Sequence, residues 1–159
     1  MAKVFLSHKS EDGRLANSLA ERLKLNGLEV HRDEIDPWLE ADGPELARYV
    51  HDALGESTQV LMMLTDRTMA SWWVPLEIGA ACERHKFITT FVATKASLPM
   101  YAKQWPHLRG ELDVDAYCTE SLGIDQRYRE KLDAGHAEGT ARAEVFREFH
   151  ENLRNRLEQ

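Results

Sequence analysis

The sequence predicts an α/β fold of the flavodoxin-like type, a three-layer sandwich around a central parallel sheet of five strands. Three observations carry the prediction. Short apolar runs alternate with segments of helical periodicity along much of the chain, the pattern of strands joined by helical crossovers. The run Val60-Leu61-Met62-Met63-Leu64 is apolar at every position, so helices must cover both faces of the sheet that contains it. The polar stretch from Thr65 to Ser71 follows that run directly, and open α/β sheets bind ligands outside the carboxyl ends of their strands.

The elements follow in order. Lys3 to Ser7 is a short apolar strand, broken by Ser7-His8-Lys9-Ser10. Ser10 is expected to cap a helix whose positive end suits Glu11 and Asp12. Leu15, Leu19 and Leu23, with Ala16 and Ala20, give that helix its apolar face, and Asn26-Gly27 stops it. Leu28 to Asp33 is a second strand. Glu34 to Asp42 is a loop carrying Pro37 and Trp38. Asp42 with Glu45 forms a capping pair for a helix with Leu46, Val50 and Leu54 on its buried stripe, ending at Gly55. Val60 to Leu64 is the central strand. A helix from Pro75 to about His85 follows, with Ile78, Ala81, Cys82 and His85 on one side. Phe87 to Val92 is the fourth strand. Residues 93–110, with Pro99 and Pro106, are irregular. Leu112 to Tyr117 is expected to be the fifth, edge strand. Thr140 to Leu157 reads as a last helix, with Val145, Phe149, Leu153 and Leu157 at four-residue steps.

Composition bounds the function. The chain has 159 residues, 43% of them hydrophobic and 30% charged, proportions of a folded globular protein. One domain spanning 1–159 is expected, its core within about 1–118 and a charged extension over 119–159. The formal net charge of −7 disfavours a nucleic-acid partner. No apolar run is long enough to span a membrane. With no signal peptide at the start, a cytoplasmic location is expected, and Cys82 and Cys118 read as reduced thiols. Neither the cysteines nor the scattered histidines show metal-ligand spacing, so no metal is expected.

The candidate site centres on Thr65 to Glu77. Glu77 lies close to Trp73 in sequence, and a carboxylate beside a large aromatic suits a cationic or ring-bearing ligand. If Pro75 opens the helix, Glu77 sits in the first turn and the helix dipole keeps it ionised. If the helix starts near Ser71, Trp73 and Glu77 share one face, one turn apart. From the residues alone Glu77 equally suits a helix-start acid satisfying backbone donors. Lys9 and the helix start at Ser10 offer contacts for a pyrophosphate. Asp33 offers a ribose contact, and Trp38 a stacking or interface surface.

Five features in register resemble the TIR domain family. Phe5-Leu6-Ser7, followed by Asp12, matches the family's F-[IL]-S-x-x-x-x-D start. Leu25 to Val30 leads to Asp33. Asp42-Gly43 closes a loop before a helix. Val60 to Thr65 matches the strand that ends in the family's serine position. Ser71-x-Trp73-x-x-x-Glu77 matches the family's S-x-W-x-x-x-E. The match is strongest to bacterial-type domains. It implies cleavage of the nicotinamide–ribose bond of NAD+, which is a substrate, with no cofactor. It also implies self-association through TIR–TIR contacts, a downstream effector that senses the product, and a role in antiphage or related immune signalling. The loop from Ile35 to Ala41 and His31-Arg32 depart from the family pattern.

Nicotinamide leaves as a neutral ring, so the chemical difficulty is the positive charge that develops on ribose. An ionised Glu77 stabilises an oxocarbenium-like transition state or binds the ribose hydroxyls. Ser7, His8, Lys9, Asp33, Trp38, Ser71 and Trp73 are expected to line the substrate cleft. This assignment requires Glu77 to face a cavity able to hold a dinucleotide. The rival assignments are a non-catalytic TIR adaptor assembling around Trp38, a nucleotide sensor without turnover, and a phospho-accepting receiver. The receiver needs acids at the end of the first strand, where Ser7-His8 stand, and an aspartate where Thr65 stands.

Overall fold

Ser7, at the carboxyl end of the first strand, pairs with Asp33 on one neighbouring strand and Met62 on the other. Around that point the computed structural model describes residues 2–34, 43–69 and 71–159. The strands are β1 (Lys3–His8), β2 (Glu29–Glu34), β3 (Gln59–Leu64), β4 (Phe87–Val92) and β5 (His107–Leu108). They form one parallel sheet in the order β2-β1-β3-β4-β5. That is the flavodoxin-like order, with its topological switch point between β1 and β3.

Seven α-helices flank the sheet among the described residues: α1 (Gly13–Leu25), α2 (Gly43–Gly55), α3 (Trp73–Glu83), α4 (Met100–Lys103), α5 (Glu111–Leu122), α6 (Ile124–Asp133) and α7 (Glu138–Leu157). Every residue of β3 and β4 is buried, because apolar layers cover both faces. One layer packs Val4, Leu6, Leu61 and Met63 against Ala16, Leu19 and Leu23 of α1, Val114 and Tyr117 of α5, and Val145, Phe149 and Leu153 of α7. The other packs Phe5, Val60, Met62 and Leu64 against Leu54 of α2 and Trp73, Val74, Ile78 and Ala81 of α3.

Several elements differ from the expectation. Leu112 to Tyr117 is not a strand; it lies in α5. Its alternation of apolar and acidic residues imitates a strand, yet Leu112 is 82% exposed. Val114, Tyr117, Cys118 and Ser121 are buried instead, a helical spacing. Asp113 accepts the Arg109 N–H at 2.7 Å just before the helix. The edge strand is β5, two residues directly after Pro106, and Gln159 at the chain end bonds both backbone groups of His107, blunting the exposed edge. α6 was not anticipated. Ser10 does not start α1; Ser10–Asp12 forms a 3₁₀ turn ahead of Gly13. Leu15 is 36% exposed and off the buried stripe of Ala16, Leu19, Ala20 and Leu23. His85 is exposed beyond the end of α3. Gly27, at φ +89°, turns the chain from α1 into β2, a left-handed conformation that favours glycine. The expected cap at Asp42, the loop with Trp38 and the side chains of Leu46 and Val50 lie outside the described residues.

Candidate active site

Alternation along β1 sends Phe5 and Ser7 to the α3 face and Val4, Leu6 and His8 to the α1 face. Asp33 stands opposite Ser7 in register on β2, so its side chain shares the α3 face. α3 follows β3 and carries Glu77 beneath that face, where Ser7 Oγ donates to Glu77 Oε2 at 2.7 Å. Ser7, Asp33, Trp73 and Glu77 are therefore gathered at the carboxyl edge of the sheet, beside the switch point. All four are buried, Glu77 to 1% exposure.

The start of α3 decides between the two geometries open in the sequence. The helix begins at Trp73, and Ser71 Oγ accepts the Trp73 N–H at 3.2 Å. Ser71 thus serves the helix start. Pro75 falls within the first turn, where its missing N–H has no intrahelical partner to lose. Trp73 and Glu77 are one turn apart on the buried face. Trp73 packs near Tyr49 of α2 and edge-on to the half-exposed Trp72.

The electrostatics overturn one expectation. Glu77 is not kept ionised by the helix dipole. Burial pushes its pKa up to about 8, the Ser7 hydrogen bond opposes the rise, and the nearby Asp33 charge adds to it. The Trp73 indole offsets the rise weakly, and its N–H makes no well-aligned hydrogen bond among the described residues. In this form Glu77 is protonated at neutral pH. Among the described residues Glu77 does not face an open cavity either, being 1% exposed. A cavity of about 280 Å³ lies at the opposite, amino-terminal edge of the sheet, lined by Gln59 and Phe87 among others.

The remaining candidates separate from this cluster. His8 is buried on the α1 face. Lys9 is half-buried and precedes the 3₁₀ turn, its carbonyl accepting the Asp12 N–H at 2.9 Å. Trp38 lies outside the described residues. Sequence inspection missed a second polar group at the same edge. Asp12, 6% exposed, accepts Thr65 Oγ1 at 2.7 Å and Arg67 at 2.8 Å, joining the loop after β1 to the loop after β3. Thr68 Oγ1 accepts the Thr65 N–H at 2.7 Å, and Thr94 donates to Asp66. A signal is present in the sequence, since Asp12 is the aspartate of the F-[IL]-S-x-x-x-x-D start, but nothing in that motif points to Thr65 or Arg67.

Among the described residues no cluster of side chains could hold a metal ion, and no helix is long and apolar enough to cross a membrane. Both cysteines are free thiols. Burial raises both pKa values, Cys118 to about 11, which leaves them poor nucleophiles.

A solved structure similar to this chain is the crystal structure of a 3-dehydroquinate dehydratase-like protein from Bifidobacterium longum, at 21% identity and a TM-score of 0.48, covering 75% of this chain and 97% of that one. No curated protein matches the sequence. The family model of the TIR domain matches residues 4–121, from β1 to the end of α5 and across every residue of the Glu77 cluster; the chain belongs to the TIR domain family.

Proposed function

We propose that this TIR domain is a bacterial-type NAD+ nucleosidase that cleaves the nicotinamide–ribose bond, releasing nicotinamide with ADP-ribose or a cyclic isomer as an immune signal. One observation carries the proposal. A carboxyl group is held at the switch point in a nearly dry environment, hydrogen-bonded by Ser7 and facing Asp33, where structure alone gains little from it. A buried acid with a pKa near 8 is destabilised as an anion until a cation arrives. The nicotinamide of NAD+ brings that cation, and the developing oxocarbenium ion keeps it. Glu77 then ionises in the presence of substrate and acts electrostatically, with Ser7 holding its orientation and Asp33 a candidate for a ribose hydroxyl.

Because Glu77 is enclosed, substrate entry must displace packing at the start of α3. Self-association is the proposed cause of that opening, and turnover then depends on protein concentration. The test is to incubate concentrated protein with NAD+ and resolve the products by chromatography, beside Glu77→Gln. Turnover by the parent and a loss of at least a hundredfold in the variant support the proposal, a size seen when a single stabilising group is removed. Equal turnover in both removes Glu77 from the mechanism.

One observation favours a second role, assembly without turnover. Trp72, the residue capping the start of α3, is 54% exposed, and Leu76 in its first turn is 39% exposed. Such exposed apolar side chains suit a contact between TIR domains. If Trp72→Ser abolishes self-association while no concentration of parent protein cleaves NAD+, the adaptor role stands.

A further inference from the structure

We propose that the amino-terminal edge of the sheet carries a second ligand site, which binds the phosphate group of a small phosphate monoester. The 280 Å³ cavity there is formed by the turn between α3 and β4, the start of β3, and α6 and α7. It lies at the end of the strands opposite Glu77, so it stands independently of the activity proposed above. Its volume falls just below the roughly 300–1,000 Å³ of typical small-molecule pockets. A sugar phosphate fits that space; a dinucleotide does not.

Three observations point to a phosphate. First, Arg84, Lys86 and Arg142 all line the cavity, although the chain as a whole carries a net charge of −7. Among the described residues none of the three has an ion pair with a carboxylate. Burial, and after it the nearby Arg84 and Arg142 charges, hold the Lys86 pKa below its ordinary value. Second, among the described residues two polar groups in the lining lack hydrogen-bond partners. Ser57 Oγ and Gln59 Nε2 are unpartnered, on residues 2% and 0% exposed. Gln59 uses its side-chain oxygen to accept Ser121 Oγ at 2.7 Å, which leaves the amide N–H groups over. Buried donors are rarely left so. Third, Lys86 is fixed by its bond to the Ser57 carbonyl, at the far side of a tight turn where His85 has φ 53°.

A phosphate supplies only acceptor oxygens and negative charge, which complements donors and guanidinium groups together. Asp125, exposed and also in the lining, disfavours a second phosphate.

The experiment uses the full chain with ribose 5-phosphate, inorganic phosphate and potassium chloride at matched ionic strength. Thermal stability and titration calorimetry are the readouts. The proposal expects saturable stabilisation by both phosphates, with ribose 5-phosphate binding at least as tightly. Arg84→Gln and Arg142→Gln should each weaken binding at least tenfold, while Lys24→Gln, remote on α1, should not change it. Circular dichroism of each variant shows that it is folded. Equal stabilisation by chloride, or unchanged phosphate affinity in both arginine variants, overturns the proposal.

Discussion

Ser7 and Glu77 stand 70 residues apart in sequence, yet the serine hydroxyl and the glutamate carboxyl meet at 2.7 Å in the protein interior. The contact joins the end of β1 to the buried face of α3. It exists because parallel strand order places β1 beside β3, and α3 returns over that junction. The same register brings Asp33 to the serine from the other side. The Asp33 charge thus adds to the rise that burial imposes on the Glu77 pKa.

The first prediction concerns stability against pH. The Glu77 pKa is raised from 4.5 to about 8. Between those values the folded protein binds more protons than the unfolded chain, so stability falls as pH rises and the loss is complete above about 8. The burial is nearly total, which puts the effect at up to roughly 4 kcal/mol. Glu77→Gln keeps an acceptor for Ser7 and removes the titration. The variant should gain thermal stability relative to the parent at pH 8.5 and match it closely at pH 5. Denaturation curves across that range decide the matter; parallel curves for the two proteins would contradict the buried-acid assignment.

The second prediction rests on the proposed activity. The dependence of kcat/KM on pH reports the essential groups of the free enzyme. If ionised Glu77 is required, NAD+ cleavage rises with pH through the Glu77 pKa. Ser7 opposes the rise in that pKa. Ser7→Ala should therefore move the rising limb to higher pH while leaving a plateau of activity. A fall in activity at every pH, with no movement of the limb, would assign Ser7 to substrate contact instead.

Legibility followed periodicity. Val60 to Leu64 of β3 appears in the sequence as an unbroken apolar run, and β4 as a β-branched and aromatic run interrupted only by Thr89 and Thr90, because both faces of each strand are buried. The segment at Leu112 misled because residues 112–117 satisfy a two-residue alternation and a helical stripe at once. Only the later Cys118 and Ser121 separate the two. At the site, Glu77 and Trp73 were readable from the family pattern, and Asp33 from its place at a strand end. The protonation of Glu77 was not, since a sequence shows a helix dipole but not the depth of burial that outweighs it. The partners of Asp12 were not legible for a related reason. Its partner Thr65 is 53 residues away, and no local rule links them.

The Asp12 contact yields the third prediction. Thr65 is 5% exposed and Asp12 is 6% exposed, so their hydrogen bond is shielded from water, whereas Arg67 is largely solvated and contributes little. Asp12→Ala leaves the Thr65 hydroxyl buried without its partner and should cost about 2 kcal/mol. Thr65→Val should cost a similar amount, and the double variant should cost clearly less than the sum. A double-mutant cycle in urea measures the coupling. Additive losses would show that the two loops are held at this edge by something else.

The last prediction concerns α7, which lies beyond the family match at residue 121. Val145, Phe149 and Leu153 are buried in the α1-side layer, and Phe149 packs edge-on against both Phe87 and Tyr117. His150 adds polar links to β4: Nε2 lies 3.0 Å from the Ile88 carbonyl and 3.3 Å from its N–H. Removing 138–159 would bare the apolar side chains of β4 and α5, so the shortened chain should fail to fold cooperatively. Phe149→Ala is the milder form and should cost about 3–5 kcal/mol. His150 supplies a pH signature that separates this packing from general destabilisation. Burial lowers its pKa below 6.5, so the folded state takes up its proton later than the unfolded chain does as pH falls. Its contribution is complete above pH 6.5 and is lost progressively below that value. The Glu77 titration is common to both proteins, so relative to His150→Gln the parent should lose stability on acidification from pH 6.5. Equal acid sensitivity in the two proteins would show that α7 is not anchored to β4 through this histidine.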